Sequence, residues 1–202
     1  YNILSAPTEL PTRVSYYIAI TPDNYVLYYE YSNPYNLHIY NIATRDLISK
    51  NVPYAQSSYY YDIYYGERTL IAIVIRYSIY LYEYTGSGSL VALAKVDTGS
   101  YAYSCAFSTD GRYISTGLKT YEIVDNSLVE VPRLIAFTSI YSMCGISPAS
   151  FIHGGTNQLY YLEIINGKVV YTNTISIGSG SNHYGTKRAG NTFISGWSES
   201  PY

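Results

Sequence analysis

The sequence predicts an all-β chain in which a unit of four antiparallel strands recurs five times, and three observations carry that expectation. A short polar residue followed within two positions by tyrosine returns at Ser15-Tyr16-Tyr17, Ser58-Tyr59-Tyr60, Ser100-Tyr101, Ser139-Ile140-Tyr141 and Asn182-His183-Tyr184, with start-to-start spacings of 43, 42, 39 and 43 residues. Turn-forming residues return at matching depth inside each copy. No stretch shows a helical period. Strand-built repeats of roughly 40 to 45 residues are those of propeller blades. The fold class expected is therefore a five-bladed β-propeller in one domain, residues 1–202, with blades at about 12–54, 55–97, 98–135, 136–178, and 179–202 plus 1–11.

The elements follow in chain order. After the first strand of each copy comes a turn: Pro22-Asp23-Asn24, Gly66-Glu67-Arg68, Thr109-Asp110-Gly111-Arg112, Ser147-Pro148-Ala149 and Ala189-Gly190-Asn191. These residues favour turns through a preset φ, tolerance of positive φ, or side-chain bonding to the backbone. Segments rich in Tyr, Ile, Val and Thr follow, among them Leu70 to Ile75, Ser78 to Tyr84 and Leu159 to Ile165. Leu70 to Ile75 is continuously apolar, the pattern of a strand covered on both faces. Asn166-Gly167 is the strongest hairpin signal in the chain. The last copy stops after Thr192 to Trp197. Tyr1 to Leu4 and Thr8 to Leu10 are expected to supply its missing third and fourth strands, which removes the open sheet edges and makes the termini neighbours. The chain begins at Tyr1 rather than Met, the expectation for a processed or trimmed product.

Three stretches carry a family resemblance. Lys168-Val169-Val170-Tyr171-Thr172-Asn173-Thr174-Ile175-Ser176-Ile177-Gly178-Ser179-Gly180-Ser181 resembles the YVTN-type propeller repeat of archaeal surface proteins. Asn41 to Ile48 is similar to the preceding hairpin of that repeat, and Phe107 to Gly117 to its SPDG turn. The chain departs from the WD40 pattern: its one tryptophan, Trp197, precedes Ser198, and no Gly-His opens a copy. Abundant Tyr, Ile and Ser with little Lys and Glu also resembles virion and surface proteins of hyperthermophilic, acid-living archaea and their viruses. The resemblance implies a tail or vertex component, extracellular, on a virion or an archaeal cell surface.

Charge and motif content narrow the chemistry. Charged residues make up 13% of the 202, and the net charge is −2 with 12 basic residues scattered singly, so neither nucleic acid nor an anionic membrane is an expected partner. The longest apolar run is far short of the roughly 18 residues that span a bilayer, so no membrane insertion is expected. His38, His153 and His183 fall in different copies without metal-ligand spacing, and no metal or other cofactor is expected. The turn acids Asp23, Glu67 and Asp110 read as solvated rather than as calcium ligands. Gly178-Ser179-Gly180-Ser181 is neither a nucleophile elbow nor a phosphate loop, since no helix follows it. Cys105 and Cys144 occupy matching positions in adjacent copies. Their side chains point in the same rotational sense, so two buried thiols are expected rather than a disulfide. The few carboxylates predict tolerance of strong acid.

What stands out is 29 tyrosines in a chain that is 17% aromatic. A phenol buries an apolar body while its hydroxyl reaches water, which suits it to positions with one dry and one wet side. Tyr16, Tyr101 and Tyr141 are expected on inner strands, packed between copies. Tyr35 with Asn36, and Tyr54 with Gln56, lie in connections predicted at one end of the repeat, where Asn157 also falls. Tyrosine beside Asn in a loop is the composition of adaptable recognition surfaces, and these five residues are the candidate interaction surface. The function expected is a non-enzymatic structural or interaction propeller, a tail, spike or surface-layer component that mediates assembly with other proteins of a particle, with a homo-oligomeric ring compatible, or host attachment. A lectin-like propeller binding host glycans is the alternative, and a propeller enzyme such as a lyase the second.

Overall fold

The computed structural model describes residues 14–21, 23–30, 36–51, 59–134, 140–155, 157–176, 181–189 and 192–199. Every regular element among them is a β-strand. The chain divides into two compact units, Tyr1–Ser57 with Gly86–Gly88, and Ser58–Thr85 with Ser89–Tyr202.

The first unit holds one four-stranded sheet in the order β1 (Val14–Ile20), β2 (Tyr25–Glu30), β3 (Asn36–Asn41), β4 (Leu47–Asn51). Its core is Val26, Tyr28 and Tyr40, with Ile42 against them. Tyr28 stacks on His38 across β2 and β3, ring centroids 5.1 Å apart. The β1–β2 turn is closed by a side-chain latch. The Thr21 hydroxyl donates to Asp23 Oδ1 at 2.6 Å and accepts the Tyr25 amide at 3.0 Å.

The second unit contains three sheets of the same meander order. They are β5 (Tyr59–Tyr65), β6 (Thr69–Ile75), β7 (Ser78–Gly86), β8 (Ser89–Asp97); then β9 (Ala106–Phe107), β10 (Tyr113–Ser115), β11 (Thr120–Val124), β12 (Ser127–Val131); then β13 (Ile140–Ser147), β14 (Ser150–Gly155), β15 (Gln158–Ile165), β16 (Lys168–Ser176). The run Leu70 to Ile75 makes up all of β6 but its first residue, Thr69, and all six residues are buried. Leu70, Ala72 and Val74 join Ile79 and Leu81 in one cluster with Phe107, Ile114 and Tyr121, which fastens the second sheet to the third. Ile71, Ile73 and Ile75 are covered on the opposite face. A second cluster joins Ala106, Tyr113 and Val131 to Ile140, Met143, Phe151, Leu162 and Val169, fastening the third sheet to the fourth. Each buried Val, Leu, Ile, Met or Phe side chain among them contributes roughly 1.5–3 kcal/mol by leaving water.

Local chemistry sets the turns. The Asp23 latch recurs in the β9–β10 turn, where the Ser108 hydroxyl donates to Asp110 Oδ1 at 2.6 Å and accepts the Tyr113 amide at 2.9 Å. Asn166-Gly167, with φ of 50° and 70°, closes the β15–β16 hairpin as the dipeptide predicts. Asp125-Asn126, with φ of 47° and 66°, does the same between β11 and β12. At the rim, the chain leaving β12 runs parallel to β16. The Val169 amide donates to the Pro132 carbonyl at 2.8 Å, and the Leu134 amide to the Val169 carbonyl at 3.2 Å.

The fifth copy appears as the two-stranded sheet β17 (Ser181–Ala189) and β18 (Thr192–Glu199), with β17 packed beside β13 and β14. Its expected completion by residues 1–11 lies outside the described residues. Tyr16 and Tyr141 fall on β1 and β13, but Tyr101 does not fall on an inner strand. The third copy's first strand starts only at Ala106, and Tyr101 belongs to the connection before it. The cause is local: the Ala102 amide donates to the Arg76 carbonyl at 2.8 Å, which draws this segment onto the β6–β7 turn instead of into the sheet.

Candidate recognition site

That connection brings three tyrosines together near the surface of the second unit. Tyr77, in the turn entering β7, is 51% exposed, and Tyr103, in the β8–β9 connection, is 42% exposed. Tyr101 lies between them, edge-on to Tyr77 with centroids 5.7 Å apart and tilted against Tyr103 at 4.6 Å. The backbone beneath is stitched at two points. The Thr98 amide donates to the Tyr77 carbonyl at 2.6 Å, and the Ala102 amide to Arg76 as above. Asp97 and Thr98 close the bend between: Asp97 Oδ1 accepts the Gly99 amide at 2.9 Å, and the Thr98 hydroxyl donates to the Ser100 carbonyl at 2.7 Å. Thr98 and Ala102 are themselves buried, so the three rings stand on a fixed base. Aromatic anchors ordered before contact lose little entropy on binding.

The expected interaction residues map onto this arrangement by position. Tyr35, Tyr54 and Gln56 lie outside the described residues. Asn36 opens β3, and Asn157 stands just before β15 with φ of 61°, half-buried. Each of these two marks the entry to the third strand of its own sheet, the place Tyr77 holds in the second. Tyr77 follows an apolar strand and Tyr101 carries the inner-strand signature, so neither is among the expected interaction residues.

A cavity of about 260 Å3 opens where β5, β9 and β13 approach one another, lined among the described residues by Asp62, Tyr65, Ser108, Thr109, Cys144 and Gly145 with apolar neighbours. Asp62 Oδ2 accepts the Phe107 amide at 2.8 Å, tying the inner strands of two sheets. The Tyr65 hydroxyl is held above its ordinary pKa, by burial first and by the Asp62 charge second. Cys144 and Cys105 are both buried and neither forms a disulfide. Among the described residues no group of three or more His, Cys, Asp or Glu side chains is placed to hold a metal ion.

A third polar cluster is buried between the third and fourth sheets. Ser115 Oγ lies 3.0 Å from His153 Nε2, and the Arg133 guanidinium bonds Thr120 Oγ1 at 2.9 Å, Ser115 Oγ at 3.3 Å and the Gly117 carbonyl. Burial holds His153 well below the usual histidine pKa, and the Arg133 charge adds to the shift. Desolvation lowers Arg133 to about 10. Ser115 and His153 resemble a nucleophile and its base, yet both are sealed in the core, and none of the hydrogen bonds described above brings a carboxylate to the imidazole. The cluster reads as a packed network without substrate access.

No family model matches the chain, and no curated protein matches it. Among solved structures it is similar to dihydro-heme d1 dehydrogenase NirN in complex with DHE, at 19% identity and a TM-score of 0.61, covering 92% of this chain and 41% of that one. The chain thus spans about two fifths of that structure's length. At this identity the likeness concerns the fold alone: with its four-stranded antiparallel sheets and no helix among the described residues, the chain has a β-propeller-like, all-β fold.

Proposed function

We propose that the chain is a non-enzymatic interaction propeller, a virion or cell-surface component of the kind that mediates particle assembly or host attachment. The Tyr77–Tyr101–Tyr103 platform, with Tyr77 and Tyr103 exposed and Tyr101 half-buried between them on a stitched base, is the observation that carries this reading. Rigid tyrosines at strand connections give contact area at low entropic cost, whereas the one Ser–His pair described is closed to substrate. The archaeal or viral setting rests on the sequence resemblance. Quantitative mass spectrometry of purified particles and surface layers tests it. Recovery of the chain there at fixed copy number supports the reading, and confinement to the soluble cell fraction overturns it.

The same proposal includes a single domain closed as five blades, with Tyr1–Leu4 and Thr8–Leu10 as the outer strands beside β17 and β18. Among the described residues four sheets have four strands each and a fifth has two, which leaves room for two more strands beside it. Deleting residues 1–11 is expected to lower Tm and increase dye binding to exposed apolar surface. A truncated chain as stable as the parent overturns the closure.

A further inference from the structure

We infer that the Tyr77–Tyr101–Tyr103 platform binds an uncharged pyranose ring, so that the partner it meets is a glycan rather than a protein face. This rests on the reading of the platform as a recognition surface and names its ligand class. Size decides first. Tyr77 and Tyr103 are about half exposed, and a tyrosine offers roughly 150–250 Å2, so the three rings present no more than about 300 Å2. A stable protein interface needs about 800 Å2 from each partner. The patch matches one or two sugar rings.

Chemistry agrees with size. A pyranose has a face of polarised C–H groups and an edge of hydroxyls. The C–H face suits the negative face of a phenol ring, through contacts individually weak but additive over several hydrogens. Tyr101 tilts 41° to Tyr103 and 85° to Tyr77, so the rings form angled walls instead of one flat sheet. Polar residues share the two backbone segments that carry the rings: the exposed Asp97, Gly99 and Ser100 and the half-buried Arg76. A planar guanidinium and a carboxylate both bond neighbouring hydroxyls. Their charges oppose, so the platform selects neither an anion nor a cation.

The test is a titration of the full chain with methyl α-D-mannopyranoside, methyl β-D-glucopyranoside and methyl β-D-galactopyranoside, read by saturation transfer and by tyrosine ring shifts in NMR. At least one sugar is expected to shift the Tyr77 and Tyr103 rings, with a Kd of about 1 mM, as befits so small a ligand. Tyr103→Ala and Tyr77→Ala should each weaken it at least about fivefold, and Tyr103→Phe, which keeps the ring, by less than about twofold. Ile165→Ala, at an exposed site on the fourth sheet, serves as the control and should change nothing. If no sugar shifts the rings, or if the alanine variants bind as the parent does, the inference fails. If the alanine variants lose attachment to particles or cell surfaces while no sugar binds, the recognition surface stands and the glycan assignment falls.

Discussion

Acid should act on this protein chiefly through His153. The imidazole is fully buried, bonded to Ser115 Oγ, and within the field of the Arg133 guanidinium, so its folded-state pKa lies well below the ordinary value. The unfolded chain therefore takes up a proton at about pH 6.5 while the folded one does not. Stability present above that pH is lost as pH falls, at about 1.4 kcal/mol per unit, until the folded pKa is reached. The loss grows with each unit between pH 6.5 and the folded pKa, and it counts against the roughly 5–15 kcal/mol that holds a domain together. The three ion pairs described add little, because Arg68–Glu83, Arg112–Glu122 and Lys119–Glu130 are all exposed. Urea unfolding at pH 7, 5.5 and 4.5 should show the parent losing more stability as pH falls than His153→Gln, which keeps a polar partner for Ser115 but does not titrate. Parallel pH profiles for the two proteins would refute the argument. The scarcity of carboxylates predicts acid tolerance, and this one buried side chain works against it.

Three further outcomes follow from contacts described above. Asp62→Ala removes the acceptor of the Phe107 amide and should cost about 1–3 kcal/mol in denaturant unfolding, while Asp62→Asn, which keeps an acceptor, should cost less. Gly145→Ala would drive a Cβ into the Phe107 carbonyl oxygen on the adjacent inner strand, so soluble expression should collapse. Phe151→Ala empties the centre of the cluster between the third and fourth sheets and should lower stability by about 3–5 kcal/mol by calorimetry.

The strand content was legible because its signals are local. The apolar run Leu70 to Ile75, the Asn166-Gly167 hairpin and the turns at Asp23 and Asp110 each depend on residues a few positions apart. The Tyr77–Tyr101–Tyr103 cluster was not legible. Tyr101 carries the sequence signature of an inner strand, but the bend at Thr98 and the bond from Ala102 to Arg76 place it on the surface beside Tyr77. The His153 network was not legible, since Ser115 and His153 are 38 residues apart on different sheets.

The two amide bonds between the exit of β12 and β16 have a kinetic meaning. They are backbone bonds between the last strands of two neighbouring sheets, beside the buried Val131 and Val169, and Val169 serves as donor and acceptor at once. Peeling β16 from its sheet strips both bonds from the segment after β12, so neither sheet frays alone. Deuterium uptake at Leu134 and Val169 should therefore proceed at one shared rate, set by the joint release of both margins.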